Sequence, residues 1–360
     1  MINGMNLAEQ YYEEFGRAAL DKVLSDFPGV KIAAGLVGEG SQCFGFDDEI
    51  SRDHDFAPGF CIWVSDEDFA AAGSALQKAY DSLPPSYKGI SRSNIIADDR
   101  LGVMTTGGFY SRFTGCEGAA ADARSENSGN TKKHTSEDAD SADGTAGRIT
   151  NSFTKLPGLP KSNLDWFLIP ETALAAATNG KIFRDDSGVF SEVRRRLLAF
   201  YPEDILRKKI AARAAVMSQA GQYNLLRIIK RGDTVAASLA AARFTEAALS
   251  MIYLLNRKFM PFYKWAYRGA AALPLLSDSV SVLGALPGAL TFLSSGSLKK
   301  AEHMAFEITE SICAETAEEL RKQGFSKSGS NFLQDHLPDI MSGIQDPRFR
   351  NMPPMADCNQ

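Results

Sequence analysis

Two aspartates one residue apart, Asp53 and Asp55, close the acidic stretch DDEISRDHD that begins at Asp47. Carboxylates at this density repel one another and resist burial unless a cation sits among them. On an extended strand Asp53 and Asp55 project from one face, where one divalent cation can bridge them, while His54 points the other way. Upstream, with eleven residues intervening before Asp53, stands Gly40-Ser41. A glycine there lets backbone amides approach a phosphate closely, and a serine hydroxyl adds a donor. The chemistry these types and spacings point to is metal-assisted handling of phosphate. The competing reading is a solvated acidic loop. Asp47, Asp48 and Glu49 are expected to cap or support rather than to ligate, with Arg52 balancing their charge.

The elements that must position these residues can be read around them. Apolar residues from Leu7 to Phe27 recur at three- and four-residue steps and predict an amphipathic helix, ended by Pro28-Gly29. VKIAAGLVG reads as a short buried strand, Gly40-Ser41 as the turn after it, and DFAPGFCIWV as a second strand entered through Asp53 to Asp55. Ser65 can cap a helix over Asp66 to Ser82, whose first acids suit the positive end of the helix dipole. GVMTTGGFYSRF is a third strand candidate. Residues 115–152 are rich in Ser, Asp, Gly, Ala and Thr, with almost nothing to bury, and predict a disordered insertion. NLDWFLIPETALAAATNGKIF then reads as strand, helix, turn and strand. After about Ser191 the chain is Ala- and Leu-rich with helical periodicity.

The spacing of Gly40-Ser41 and Asp53-x-Asp55 resembles the signature of the polymerase-beta-like nucleotidyltransferase superfamily. That resemblance implies that Gly40 and Ser41 hold the β and γ phosphates and that Asp53 and Asp55 bind catalytic magnesium. NLDWFLIPE resembles the stretch that carries the third acid in bacterial aminoglycoside nucleotidyltransferases, which puts Asp165 in that role, with Asp185 and Glu171 as competitors. GEGSQCFGFDDEISRDHDF, TNGKIFRDDSG, YPEDILRKKIAARAAVMSQAGQYN and PFYKW are similar to a bacterial family known only as a domain of unknown function with a nucleotidyltransferase-like start. In resembling enzymes a helical domain closes over the nucleotide, so Lys209 and Arg227 are expected on the triphosphate, although solvated helix faces explain such cations equally well.

Other chemistry fits less well. His54-Asp55 is the dipeptide of HD-type metal phosphohydrolases, but the only other histidines are His134, His303 and His336. GLVGEG is neither GxGxxG nor a P-loop. NRKFMPFYKWAYR interleaves Arg257, Lys258, Lys264 and Arg268 with Phe259, Phe262, Tyr263, Trp265 and Tyr267; aromatics there either stack on a base or pack at the bend of Pro261, and packing is expected. The acidic face of a helix over Ser297 to Gln323 could attract a cationic acceptor, but a solvated face explains it more simply.

With 360 residues, 44% of them hydrophobic, the chain can bury real cores. A net charge of -5 and a pI near 5.6 argue against a nucleic-acid partner. Five cysteines without CxxC spacing suggest neither a disulfide framework nor a zinc site and suit a reducing cytoplasm. No membrane partner is expected, since the N-terminus lacks the pattern of a signal peptide and the longest apolar stretches are too short or are interrupted by Pro287.

The expected fold is α+β. A nucleotidyltransferase-like mixed sheet with helices occupies residues 1–190, an all-helical domain residues 191–345, and a flexible tail residues 346–360. The expected activity is a Mg2+- (or Mn2+-) dependent transfer of a nucleoside monophosphate, AMP from ATP, to a hydroxyl or amine of a small-molecule acceptor. The alternative is a catalytically silent nucleotide-binding or protein-interaction module.

Overall fold

A computed structural model describes residues 3–52, 56–92, 100–117 and 156–357. The fold is α+β: a small mixed sheet in the N-terminal part and helices throughout the C-terminal part. Helices α1 (Gly4–Tyr11) and α2 (Arg17–Asp26) are joined by a π-helical turn at Tyr12–Gly16, so the amphipathic stretch read from the sequence is one nearly continuous rod. Asn3 caps it by accepting from the amides of Met5 and Asn6. Strand β1 (Ala33–Leu36) follows, then a single helical turn α3 (Ser41–Phe44), strand β2 (Cys61–Val64) and helix α4 (Asp66–Asp81), whose Ser65 cap accepts from the Asp68 amide as expected. A two-stranded ribbon, β3 (Ser86–Tyr87) and β4 (Ile90–Ser91), precedes β5 (Gly102–Thr105) and α5 (Thr106–Thr114).

Helices α6 (Asn163–Leu168) and α7 (Glu171–Thr178) lead into β6 (Lys181–Asp185), which completes a four-stranded sheet in the order β5-β2-β1-β6. β1 is antiparallel to both of its neighbours, and β2 is parallel to β5. The helical part runs through α8 (Val189–Leu198), α9 (Glu203–Met217), a π-helical stretch Ser218–Leu225, α10 (Leu226–Lys230), α11 (Thr234–Leu255), α12 (Tyr263–Ala270), α13 (Ser277–Leu283), α14 (Leu286–Ser294), α15 (Leu298–Lys322), α16 (Leu337–Ser342) and α17 (Pro347–Arg350). The main hydrophobic core is continuous from Ala33 and Trp63 of the sheet to Phe349. By length and composition α11 is apolar enough to cross a bilayer, and 56% of its most apolar window is buried inside the protein.

Two local expectations change. GVMTTGGFYSRF is a strand only to Thr105; the Thr105 hydroxyl then caps α5 by accepting from the Gly108 amide, and Phe109, Tyr110 and Phe113 fall on one buried helical face. NLDWFL is a helix, not a strand, because Ser162 and Asp165 form a reciprocal capping box at its start. The insertion expected at 115–152 lies almost wholly outside the described residues.

The largest correction concerns the tail expected to be flexible over 346–360. Residues 346–357 are tied into the interior: Phe349 is buried, and Lys208 of α9 donates to the carbonyls of Pro354 and Ala356. The Asp357 carboxylate, fully buried, lies 3.1 Å from Lys209 Nζ and 2.7 Å from Arg213 Nη1. Burial opposes its ionisation, yet the charges of Lys209 and Arg213 hold its pKa below the ordinary carboxylate value. A depressed pKa in the folded state means that the ion pair's contribution is complete above the unfolded value and is lost as pH falls through the folded one. Asp357→Asn should therefore cost about 3–5 kcal/mol at neutral pH, because it leaves Lys209 and Arg213 short of a carboxylate. Denaturant unfolding of both proteins across the acid range checks this, with the gap closing as the wild-type carboxyl protonates.

Candidate functional site

The turn after β1 is built by an amide clasp. Asn179, between α7 and β6, accepts from the Gly38 amide at 2.9 Å and donates to the Gly38 carbonyl at 2.7 Å, and the Gly180 amide donates to the Cys43 carbonyl at 2.9 Å. The turn preceding Gly40-Ser41 is thereby pinned to the sheet's far edge. Gly40 has φ 107° and ψ 147°, a conformation that only glycine adopts readily, and it leads directly into the one-turn helix α3. A Cβ at Gly40 would come within 2.7 Å of Arg100 Nη2, so the guanidinium lies against this turn.

Gly40 and Ser41 open onto a cleft of about 760 Å3 between the sheet-bearing part and the helices. One wall comprises Glu39 to Gln42, Phe44, Asp48, Ile50, Ser51, Phe56, Arg100, Arg112 and Phe113. The other comprises Pro170, Thr172, Ala173 and Ala176 of the α7 region with Phe262, Lys264 and Trp265 at the start of α12. Three cations thus line it, Arg100, Arg112 and Lys264; Arg112 also pairs with Glu39 at 3.0 Å. The two walls meet where Arg268 of α12 donates to the Phe46 carbonyl at 3.0 Å and the Phe46 ring stacks on Trp265 with centroids 5.5 Å apart.

Asp53 and Asp55 lie outside the described residues, as does His54. The described lining residues nearest to them on either side are Ser51 and Phe56. The strand after them begins only at Cys61. Asp48 acts as expected of a cap: its carboxylate accepts from the Ser51 amide at 3.0 Å, and that bond, helped by neighbouring Arg268, lowers its pKa. Asp47 likewise accepts from the Gly4 amide at 2.7 Å.

The remaining expected residues are not brought to the cleft. Asp165 is occupied in the capping box: its Oδ2 accepts from the amides of Lys161 and Ser162, and although burial opposes it, these bonds hold its pKa down. Its competitor Asp185 accepts from the amides of Gly188 and Ser191 at the start of α8, and Glu171 is buried against Arg213 at 2.9 Å. Lys209, expected on the triphosphate, is fully buried and bound to Asp357, because α9 is buried on every side from Lys208 to Met217. Arg227 is exposed and stacks on Tyr223, with 3.7 Å from Cζ to the ring centroid. Among the described residues no three His, Cys, Asp or Glu side chains converge as a metal-binding group. The cations that do line the cleft were missed for specific reasons. Arg112 lies on a helix read as a strand. Lys264 sits in a segment whose sequence reads as packing, and no motif marks Arg100.

Comparison with known proteins adds a family model described as a domain of unknown function (DUF4037), which matches residues 166–266. That span includes the α7 wall, the start of α12 and the buried Glu171–Arg213 pair. No curated protein matches significantly. Among solved structures, the crystal structure of a nucleotidyltransferase-like protein from Exiguobacterium sibiricum 255-15 aligns over 93% of this chain and 88% of its own, with 10% identity and a TM-score of 0.34.

Gly40→Ala should cost about 1–3 kcal/mol, since the flexible Arg100 can move aside but the backbone conformation is one that alanine rarely adopts. Thermal unfolding checks the loss, and a stability equal to wild type would show that this turn is not held as described.

Proposed function

We propose that the cleft binds a nucleoside triphosphate with Mg2+ or Mn2+ and transfers its nucleoside monophosphate, AMP from ATP, to a hydroxyl or amine of a small acceptor. One observation carries the reading. Gly40-Ser41 and three cations share a single cleft, and the residues flanking the Asp53-x-Asp55 motif line that same cleft. Here Arg100, Arg112 and Lys264, rather than Lys209 and Arg227, hold the triphosphate. Gly40 and Ser41 hold the phosphates from the sheet side, and the α7 and α12 walls limit water around the reacting groups. Asp53 and Asp55 offer hard carboxylate oxygens of the kind Mg2+ prefers, and a bound ion would neutralise phosphate charge during displacement at the α-phosphorus. The acceptor oxygen or nitrogen forms a bond to that phosphorus, the bond to the bridging oxygen breaks, pyrophosphate leaves, and the acceptor loses its proton.

A second reading, nucleotide binding without turnover, draws on a specific observation: Asp165, Asp185 and Glu171 are each committed to other partners. The two readings part on pyrophosphate release in the presence of candidate acceptors, which only the transferase gives.

Thermal shift with ATP, with and without Mg2+, tests the shared claim of both. Wild type should gain about 2.7 kcal/mol at a hundredfold excess over Kd, and only with metal. Asp53→Asn/Asp55→Asn should lose the gain at unchanged basal stability, while Arg227→Ala should keep it. A metal-independent shift, or one that survives the double substitution, would refute the metal role of the two aspartates.

A further inference from the structure

The segment from Phe259 to Trp265 divides at Pro261 into two kinds of aromatic. Phe259 is buried and stacks on Phe200 with centroids 4.8 Å apart, as a packing residue does. Phe262 is 50% exposed and Trp265 partly so, and both line the cleft. Packing explains the first; Phe262, beside the Tyr263 ring at 4.4 Å, and Trp265, stacked on Phe46, each keep area open to the cleft and so forgo part of the burial that normally justifies an aromatic. The Trp265 ring is held in place rather than loose: Phe46 stacks on it with an interplanar angle of 26°. The ammonium of Lys264 lies 5.3 Å from the same ring. Flat apolar faces and a cation are thus placed within four residues, on the same cleft as Gly40 and Arg100. A single ligand satisfies both features if it carries a planar ring at one end and an anionic group at the other.

We propose that Phe262 and Trp265 form the platform for the base of the bound nucleotide, and that stacking area selects purine over pyrimidine triphosphates. The proposal rests on the nucleotide reading above and goes beyond it by naming the base class and the residues that choose it. Base–aromatic stacking acts on every base but grows with ring area, so ATP and GTP should bind several-fold more tightly than CTP and UTP. Lys264, already over the ring, would exchange that contact for the phosphates of the stacked nucleotide.

The chain contains three tryptophans. Trp63 is buried against Phe190, and Trp166 packs on Tyr201, so Trp265 is the one that lines the cleft. Titrating the full chain with each Mg2+–triphosphate, followed in parallel by tryptophan fluorescence and by calorimetry, tests the proposal. ATP and GTP should quench saturably, at the Kd that calorimetry gives. Trp265→Phe should abolish the quench while keeping most of the affinity. Phe262→Ala, which alters a half-exposed side chain and so leaves folding intact, should weaken ATP binding about tenfold or more. Calorimetric binding of ATP with no quench, a quench that survives Trp265→Phe, or equal affinity for CTP and ATP would overturn the platform while leaving the nucleotide reading standing. No binding of any triphosphate by calorimetry would overturn both.

Discussion

The Arg213 guanidinium, sunk between three helices and the chain's last described residues, is the contact on which the site depends. It donates to Glu171 on α7 at 2.9 Å and to Ser250 on α11 at 2.6 Å and forms an ion pair with Asp357 at 2.7 Å, while Lys209 one turn earlier on α9 supplies the second charge to Asp357. Charges this deep are costly to desolvate, and the cost is met only because every member has an opposite or hydrogen-bonding partner. Loss of either carboxylate leaves the buried cations unbalanced, and Ser250 ties α11 to the same group, so α7, α9, α11 and the C-terminal segment hold their relation to one another together. The following residues of α7, Thr172, Ala173 and Ala176, form a wall of the cleft. This buried network, itself outside the cleft lining, thus fixes where that wall stands.

The opposite wall depends on backbone rather than charge. Asn179 grips both polar groups of Gly38, Gly40 turns the chain through a conformation other residues avoid, and Arg268 reaches across from α12 to the Phe46 carbonyl. The sheet-bearing part and the helical part are therefore joined at the cleft itself, with Trp265 and Phe46 stacked at the seam. The acidic helix α15 plays no part in lining it. Several of its acids are engaged elsewhere, Glu302 with Lys230, Glu310 with Gln222 and Glu315 with Ser279. The described lining of the cleft instead offers cations and aromatic faces, with Glu39 and Asp48 beside them.

Local signals made much of the fold legible in the sequence. The periodicity of Leu7 to Phe27, the Ser65 cap and the short apolar run of β1 each correspond to an observed element, because each is governed by neighbours a few residues away. The errors arose where distance along the chain decides. Lys209 reads as a surface cation on any helical projection, and only the arrival of Asp357, 148 residues later, makes its burial possible. The polar, Pro-rich tail reads as loose for the same reason: its anchor is a carboxylate whose partners belong to another element. Asp165 shows a subtler failure. A Ser three residues before an acid is itself a helix-start signal, and in NLDWFL it outweighs the apolar alternation that resembled a strand. Of the candidate site, the Gly40-Ser41 turn was legible, whereas Arg100 and Arg112 reach it only through tertiary packing.

The most direct measurement is a crystal structure with a non-hydrolysable ATP analogue and Mg2+. Triphosphate density is expected against Gly40, Ser41 and Arg100, with metal at Asp53 and Asp55. Density for the nucleotide elsewhere on the protein, with this cleft empty, would contradict it.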